Sequence, residues 1–524
     1  MDSRAGRNER KWRFSMWRKA ASVGGLTLVS RAFGFVRDAM MAALLGAGPL
    51  ADAFMVAFRL PNHFRAIFAE GAFNAAFVPR YAQALTREGE GAARAFGEDV
   101  LSITVLAQLV LLVLALAFAP LVVTALAPGF TDDPPQLALT AELTRITFPY
   151  LALISAMTLV AGVLNAHDRF AAAASASILL NVCMIVALLV AGWFPTVAHA
   201  LAVGVLVSGF AQLGLVVWDM RRAGVGLSLR LPRITRNVRE FLKRFGPAVL
   251  GSAGVQIAMF ADTIIASFLP SGSVSYLYYA ERLYQLPLAV VGIAVGTVLL
   301  PELARRLAAD DKSGARDRLN RALEGALLMT LPFVALFAAA PGPVVAALFG
   351  RGAFDASAIA GSAAALQAYA IGLPAVVALR CVTPAFHAAG DTATPVKALA
   401  VATLANVSLK IVLVGTFLHA GLAFATSVGA WINLALLVIL LRRRDGFSPD
   451  RRFLINIAGV TLGTAASIGA IVMALAPAET LKGLIAPFPD LAPAALIGVA
   501  GVSAYAVVAG AGMLVARRSS RKAG

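Results

Sequence analysis

The sequence has little charge and little cysteine. Only 14% of its 524 residues are charged, whereas soluble domains carry roughly 25% charge. Hydrophobic residues make up 59% of the chain, and the mean hydropathy is +0.80. Cys183 and Cys381 are far apart and lie in apolar stretches, which excludes a disulfide framework and a cysteine metal site and indicates packing residues. This composition indicates an integral membrane protein.

Motifs of common enzymes are missing as well. The sequence has no G-x-x-x-x-G-K-[ST] phosphate loop, no nucleophile elbow and no convincing acid pair for hydrolysis. Its five histidines have no metal-binding spacing. We therefore expect a chain that is not an enzyme and has no catalytic cofactor of its own.

Long apolar runs are abundant instead. We count fourteen, each long enough to cross a hydrocarbon core of about 30 Å as a helix. The first two are the least regular, because charged residues interrupt them. The prediction is an all-α membrane protein with spans at about 20–46, 50–79, 99–127, 141–165, 171–193, 198–220, 245–269, 274–301, 322–341, 357–388, 398–417, 419–441, 453–477 and 492–516.

The distribution of lysine and arginine predicts the orientation. The amino tail, the even-numbered connections and the carboxyl tail hold thirty-five of these residues, whereas the other connections hold two, Arg351 and Lys482. The positive-inside rule therefore places both termini in the cytoplasm. The net charge of +17 reflects this topology and not a nucleic-acid partner, although the basic clusters could also contact anionic membrane lipids.

Eight cations remain inside predicted spans: Arg31, Arg37, Arg59, Arg65, Arg145, Arg282, Arg380 and Lys410. Cations at a helix centre cost roughly 2.5 to 3.5 kcal/mol on insertion scales, so they usually face a protein interior or an aqueous cavity. Three of them, Arg145, Arg380 and Lys410, lie close enough to span ends to snorkel. The surplus of arginine over Asp38, Asp52 and Glu70 in the first two spans suits an anionic ligand, especially phosphate. The alternative is that these arginines only neutralise the acids in buried pairs.

An internal repeat recurs at an offset of about 225 residues. The series Asp38, Arg59, Pro79 matches Asp262, Arg282, Pro301, and the pair Asp168, Asn181 matches Asp391, Asn406. Six spans separate the copies, so both have the same orientation. We therefore expect two pseudo-symmetric six-helix lobes with a site between them and two further helices. The predicted limits are a basic tail at 1–19, lobes at 20–222 and 245–441, a basic linker at 223–244, a basic loop at 442–452, extra helices at 453–516 and a basic tail at 517–524.

One long stretch resembles a known family. The run SRAFGFVRDAMMAALLGAGPLADAFMVAFRLPNHFRAIFAEGAFNAAFVP, with ITFPYLALIS, LNAHDRF, YYAERLYQLP and DTATPVK further on, is similar to the MurJ (MviN) family of lipid II flippases. That family belongs to the multidrug/oligosaccharidyl-lipid/polysaccharide exporter superfamily. The resemblance implies a central cavity between two lobes, and a groove on the last two helices for an isoprenoid tail.

The resemblance also implies roles for individual residues. By motif, the residues that would bind the substrate are Arg31, Arg37, Arg65 and Arg282. The residues expected to supply cavity or gate charges are Asp38, Asp52, Arg59, Glu70 and Glu281. A sodium site in the second lobe is implied as well, with Asp262 as its candidate ligand and Asp391 and Asn406 as weaker candidates.

The function implied is movement of lipid II, an undecaprenyl-diphosphate-linked muropeptide, from the inner to the outer leaflet of the bacterial cytoplasmic membrane. Alternating access would carry it, for cell wall synthesis and cell shape, and the cell wall synthesis machinery is a candidate partner. Membrane potential, sodium and protons stay open as driving forces. The alternatives are an exporter of a drug or another polysaccharide-linked lipid, a membrane glycosyltransferase, and a silent scaffold.

Cysteine labelling tests the predicted orientation. Ser228→Cys and Ser448→Cys should react with an impermeant maleimide from the cytoplasmic side and Ser271→Cys from the outside, because of the thirty-five to two charge bias. The measurement compares intact cells with inverted vesicles. Labelling of Ser448→Cys from the outside would overturn the orientation or the number of spans.

Overall fold

The structure is a computed structural model that describes residues 2–65, 72–296, 298–445, 447–485 and 488–522. Helices dominate these ranges, and the described residues contain no strand. The first ten α-helices are α1 Asp2–Leu45, α2 Pro49–Arg65, α3 Ala72–Arg87, α4 Glu90–Ala117, α5 Ala119–Leu126, α6 Pro134–Thr147, α7 Pro149–Ala166, α8 Ala171–Leu189, α9 Val197–Arg222 and α10 Arg236–Ala266. The others are α11 Ser273–Gly296, α12 Leu299–Ala308, α13 Lys312–Ala339, α14 Pro341–Phe349, α15 Ala356–Ala388, α16 Ala393–Asp445, α17 Arg451–Glu479 and α18 Leu491–Lys522.

Several helices begin at a residue whose side chain caps the first turn. The capping oxygen accepts a backbone N–H three residues further on, which satisfies one of the donors that a helix start leaves without an internal partner. Proline in the first turn of α6 and α7 adds to this signal, since its missing N–H costs nothing there. The capping residues of α6, α9, α13, α15 and α17 are Asp133, Thr196, Asp311, Asp355 and Asp450.

Nine helical segments of the described chain are long and apolar enough to cross a membrane. They correspond to ten of the fourteen predicted spans, because the segment Ala393–Arg444 contains two of them. That segment is interrupted at Leu418, whose φ of 49° lies outside the helical region, and the predicted spans 398–417 and 419–441 meet at this residue. The four other predicted spans, 20–46, 50–79, 245–269 and 274–301, contain most of the charges that lie inside spans and are not among these segments. The count of fourteen is therefore not confirmed.

Apolar side chains cover much of the surface of these segments. On α4, for example, Leu106, Val110 and Val113 are exposed on a helix that has no charged residue after Asp99. A surface of this kind is stable against lipid tails and not in water. It agrees with the prediction of a multi-pass membrane protein.

The chain divides into two compact units. The first contains Met1–Leu45 and Pro49–Ile257, and the second contains Gly46–Gly48 and Ala258–Gly524. The division falls within α10, beyond the basic linker that the sequence places at 223–244. The predicted domain limits stay predictions.

An aromatic cluster forms part of the core of the first unit. Phe77 on α3 stacks on Phe96 of α4 with 5.5 Å between ring centroids, and Phe73 meets Phe241 of α10 edge-on at 5.5 Å. Aromatic pairs in these geometries stabilise a core beyond their area alone. They fix α3, which contains most of the amphipathic segment PRYAQALTRE, against α4 and the beginning of α10.

Close backbone approach joins α17 and α18 in the second unit. A Cβ atom on Gly459 would lie 2.9 Å from the Cα of Gly512, so each glycine allows the other helix to approach. Tyr505 of α18 donates a hydrogen bond to the carbonyl oxygen of Leu328 on α13, at 2.8 Å. The two helices that the sequence places outside the repeat therefore form a pair that packs on α13.

Ion pairs hold the linker of the first unit. Arg230, between α9 and α10, contacts Asp99 of α4 at 2.7 Å and Glu98 at 3.4 Å. The backbone N–H and hydroxyl of Ser228 both donate to Glu98, at 3.1 and 2.8 Å. A second pair joins Arg169, in the loop after α7, to Asp219 near the end of α9.

The second unit has ion pairs at the equivalent places, with the charges reversed. Asp450, in the connection after α16, contacts Arg321 of α13, and Asp391, in the loop after α15, contacts Arg444 at 2.9 Å. These four residues lie at an offset of about 225 residues from their counterparts in the first unit. The ion pairs thus support the internal repeat, although the repeat preserves their positions and not their signs.

The loops after α7 and α15 also correct one match within the repeat. Asp168 and Gly390 both have a positive φ, of 63° and 77°. The next residue in each loop, Arg169 or Asp391, donates its N–H to the carbonyl oxygen five residues earlier, at 2.9 Å in both cases. Asp391 therefore corresponds to Arg169 and not to Asp168, the residue that the sequence comparison paired with it.

Replacing Asp99 tests the linker contact. We expect Asp99→Ala to lower the free energy of unfolding by about 1 to 3 kcal/mol, because a buried carboxylate that accepts charged hydrogen bonds is lost. The measurement is the melting temperature of the purified protein in detergent. Asp132→Ala, the same change at an exposed residue, is the control. Equal melting temperatures for the two variants would contradict the proposed contribution of this contact.

Candidate functional site

A buried cluster of polar side chains joins α1 to α8. Arg37 and Asp38 of α1 are both buried, and the Nε and Nη2 atoms of Arg37 donate to Oδ1 of Asp38 at 3.0 and 2.6 Å. The Nη1 atom of Arg37 donates to Oδ1 of Asn181 on α8, at 2.8 Å. Asn181 in turn donates to the backbone carbonyl of Ser30, at 3.0 Å.

This geometry bears on the role expected for Arg37. The guanidinium group binds an acid through one edge and an amide oxygen through another nitrogen, so most of its donor capacity is used inside the first unit. That is the buried-pair arrangement, the alternative that the sequence left open. A direct contact between Arg37 and phosphate stays a prediction.

Other expected site residues of the first unit lie in different environments. Arg31 is exposed on α1, Asp52 is buried on α2, and Arg59 is half-buried on the same helix. Arg65 is the last residue of α2, but its side chain lies outside the described part of the structure, as does the whole of Glu70. The cluster around Arg37 is thus the one group of these residues whose contacts are described in detail.

The second unit presents Arg282 on α11. Its guanidinium carbon lies 4.6 Å from the centroid of the Tyr278 ring, one turn earlier on the same helix. Glu281 accepts a hydrogen bond from Nε2 of Gln285, at 2.9 Å. Stacking on an aromatic face orients a guanidinium group, and a planar guanidinium group binds anions through its edges.

A buried ion pair joins α10 and α16. The Nζ atom of Lys410 lies 2.6 Å from Oδ1 of Asp262, and the lysine side chain is 0% exposed while that of the aspartate is 18% exposed. One sequence-based interpretation is therefore wrong, because Lys410 does not snorkel to a span end. Asp262, the candidate sodium ligand, has a structural partner.

The sequence could not identify this pair, because 148 residues separate Asp262 from Lys410. Lys410 had been recognised only as one of eight cations inside spans. The repeat pointed to the region through Asn406, which lies one turn before Lys410 on α16. Nothing in the sequence indicated that Asp262 on α10 lies beside Lys410.

Two of the candidate sodium ligands, Asp262 and Asp391, have charged partners in the structure. The described residues include no group of three or more histidine, cysteine, aspartate or glutamate side chains that could hold a metal ion. Asp391 caps α16, where the N–H of Thr394, its hydroxyl and Arg444 hold the pKa of that carboxyl below its usual value. The ammonium group of Lys410 beside Asp262 also disfavours a second cation at that carboxylate, because two positive charges repel each other.

A cavity of about 300 Å³ lies between α13, α17 and α18. One part of its wall is polar, with Arg321, Glu324, Arg452 and Asn456, and the other part is apolar. The apolar lining is formed by Leu328, Ile457, Val460 and Met513. A cavity with both kinds of wall can bind a molecule that has a polar and an apolar end.

Comparison with known proteins identifies the family. The family model described as lipid II flippase MurJ matches residues 41–485. A probable lipid II flippase MurJ of Rhizobium meliloti (strain 1021) is 40% identical over 509 residues, which cover 93% of this chain and 95% of the relative. The chain belongs to the MurJ family.

Further comparisons agree with this membership. The lipid II flippase MurJ of Burkholderia cenocepacia is 36% identical, with 86% of this chain and 88% of the relative covered. Because MurJ proteins are transporters, the expectation that the chain is not an enzyme is confirmed.

Solved structures show the same fold. A lipid II flippase MurJ in an inward closed conformation matches with a TM-score of 0.75 at 24% identity, covering 93% of this chain and 98% of that one. An inward-facing multidrug resistance transporter of the MATE family matches with a TM-score of 0.67 at 16% identity, covering 82% and 98%. The chain therefore has the fold that these two transporters share.

The cluster around Arg37 gives a stability prediction. Arg37→Ala should lower the free energy of unfolding by about 3 to 5 kcal/mol, because it leaves the buried carboxylate of Asp38 without its ion partner. Arg37→Ala combined with Asp38→Ala should recover much of that loss. A double-mutant cycle on melting temperatures in detergent measures the coupling, and an Arg37→Ala protein as stable as wild type would contradict the pair's role.

Proposed function

We propose that this chain moves lipid II from the inner to the outer leaflet of the cytoplasmic membrane and so supplies cell wall synthesis. The observation that carries the proposal is the match of the MurJ family model over residues 41–485, together with a relative similar over 93% of the chain. No covalent chemistry is needed, because the substrate leaves as it enters. Alternating access is the mode of transport that suits such a large polar head group.

Guanidinium groups are suited to bind the diphosphate of the substrate. Arg282 is suited to this role, because Tyr278 holds its plane and a planar guanidinium can bind two phosphate oxygens at once. Arg31 is exposed on α1 and is able to act as a second ligand. For Arg37 we propose a positioning role, since its contacts with Asp38 and Asn181 order the helix that carries Arg31.

We also propose roles for the cavity of the second unit, the two termini and a partner. The cavity between α13, α17 and α18 has an apolar wall that suits an isoprenoid tail. Both termini are proposed to lie in the cytoplasm, in agreement with the distribution of lysine and arginine. The cell wall synthesis machinery is a proposed partner, because it consumes the flipped substrate.

The alternatives have less support. A drug-cation exporter shares this fold, but the half-buried Arg59 and Arg282 would repel a cation. A membrane glycosyltransferase is not favoured, because the relatives are named as flippases. A silent scaffold predicts that charges inside spans are dispensable, which transport measurements on variants can decide.

Arg282 is the residue to test. In proteoliposomes with fluorescent lipid II, Arg282→Ala should lower the flipping rate by roughly ten- to a hundredfold, because a charged hydrogen bond of about 1.5 to 3 kcal/mol is lost. Arg282→Lys should restore only part of the rate, since lysine keeps the charge but not the planar fork. Tyr278→Phe keeps the aromatic face and should have little effect, whereas Tyr278→Ala should reduce the rate.

The matched control is Arg145→Ala, the same change at an exposed arginine within a predicted span. It should flip at the wild-type rate. Recovery of transport when Glu281→Ala is added to Arg282→Ala would contradict phosphate binding, because it would mean that Arg282 only balances a neighbouring acid.

A further inference from the structure

We infer that Lys410 is a built-in cation partner for Asp262, which makes flipping by this chain independent of sodium. The inference rests on the proposed flipping function and concerns what drives it. Its basis is the ion pair between α10 and α16, with 2.6 Å between Nζ of Lys410 and Oδ1 of Asp262.

The ammonium group of Lys410 occupies the space beside Asp262. The Lys410 side chain is 0% exposed, so protein surrounds its ammonium group. A sodium ion bound to the Asp262 carboxylate would have to lie beside that ammonium, and two cations at such a distance repel each other strongly where water is excluded. The pair as it stands excludes sodium from Asp262.

Asp262 has few acidic side chains around it. A bound sodium ion needs several oxygen atoms, usually carbonyls and carboxylates. Among the described residues, no group of three or more histidine, cysteine, aspartate or glutamate side chains includes Asp262. Asp391 caps α16 and pairs with Arg444, so it is committed elsewhere.

The ammonium group of Lys410 replaces the charge that a sodium ion would bring. Lys410 supplies the same single charge as sodium, but it is covalently attached and therefore present in every state of the transport cycle. A ligand shifts a conformational equilibrium only through a difference in its affinity for the two states. A sodium gradient that acts through Asp262 can do no work on a site from which sodium is excluded.

Removal of the Lys410 ammonium group should create a site for an exchangeable cation. Asn406 lies one turn before Lys410 on the same face of α16, is buried, and has an Oδ1 atom with no hydrogen-bond partner among the described residues. Shortening Lys410 would leave a polar cavity with the Asp262 carboxylate and this amide oxygen. Such a cavity attracts an exchangeable cation, because a carboxylate that is largely removed from water is disfavoured when its cationic neighbour is taken away.

The experiment compares sodium chloride with N-methyl-D-glucamine chloride at equal ionic strength. Wild type, Lys410→Arg and the control Lys397→Ala, an exposed lysine on the same helix, should flip lipid II at rates that differ by less than about twofold between the salts. Lys410→Ala should flip faster in sodium, and its melting temperature in detergent without lipid II should rise with sodium. Adding Asp262→Asn to Lys410→Ala should abolish both responses.

Two results would overturn the inference. One is a saturable sodium stimulation of wild type that Asp262→Asn removes. The other is a Lys410→Ala protein whose flipping rate and melting temperature are the same in both salts. The melting temperatures are measured without substrate, so they test the cation site even if the transported lipid is not lipid II.

Discussion

A charged side chain within a membrane-spanning helix must be compensated by another group of the protein, because hydrocarbon provides neither water nor counter-ions. In this chain the described buried cations meet that constraint within their own unit. Arg37 pairs with Asp38 and reaches Asn181, which joins α1 to α8. Lys410 pairs with Asp262, which joins α16 to α10. The need to compensate charge therefore helps to decide which helices pack against each other.

The same need operates at the ends of helices, where the partners are partly exposed. The linker after α9 and the connection after α16 are each held to the start of a long helix by an ion pair, with opposite polarity in the two units. The loops after α7 and α15 follow the same rule. A duplicated fold can reverse the signs of a pair without loss, because the attraction depends only on their product.

The cations inside the spans thus fall into two kinds. Some are committed to a partner within the fold, as Arg37 and Lys410 are, and they order the helices that carry them. Arg282 stacks on the ring of Tyr278, which fixes the orientation of its guanidinium group. A count of arginines in the first two spans does not separate these groups, whereas the identity of each neighbour does.

The sequence by itself determined the class of protein, most of the spans, the repeat and the family. These features follow from local composition and from motifs that are contiguous in the chain, and even the break at Leu418 lay where two apolar runs meet. Tertiary structure decided which charges are paired. Neighbouring residues of an ideal helix, such as Arg37 and Asp38, point about 100° apart, but a long guanidinium side chain reaches around the helix. Lys410 looked like a residue at a span end until α10 placed Asp262 beside it. Contacts between helices that are distant in sequence depend on packing, and no local pattern encodes them.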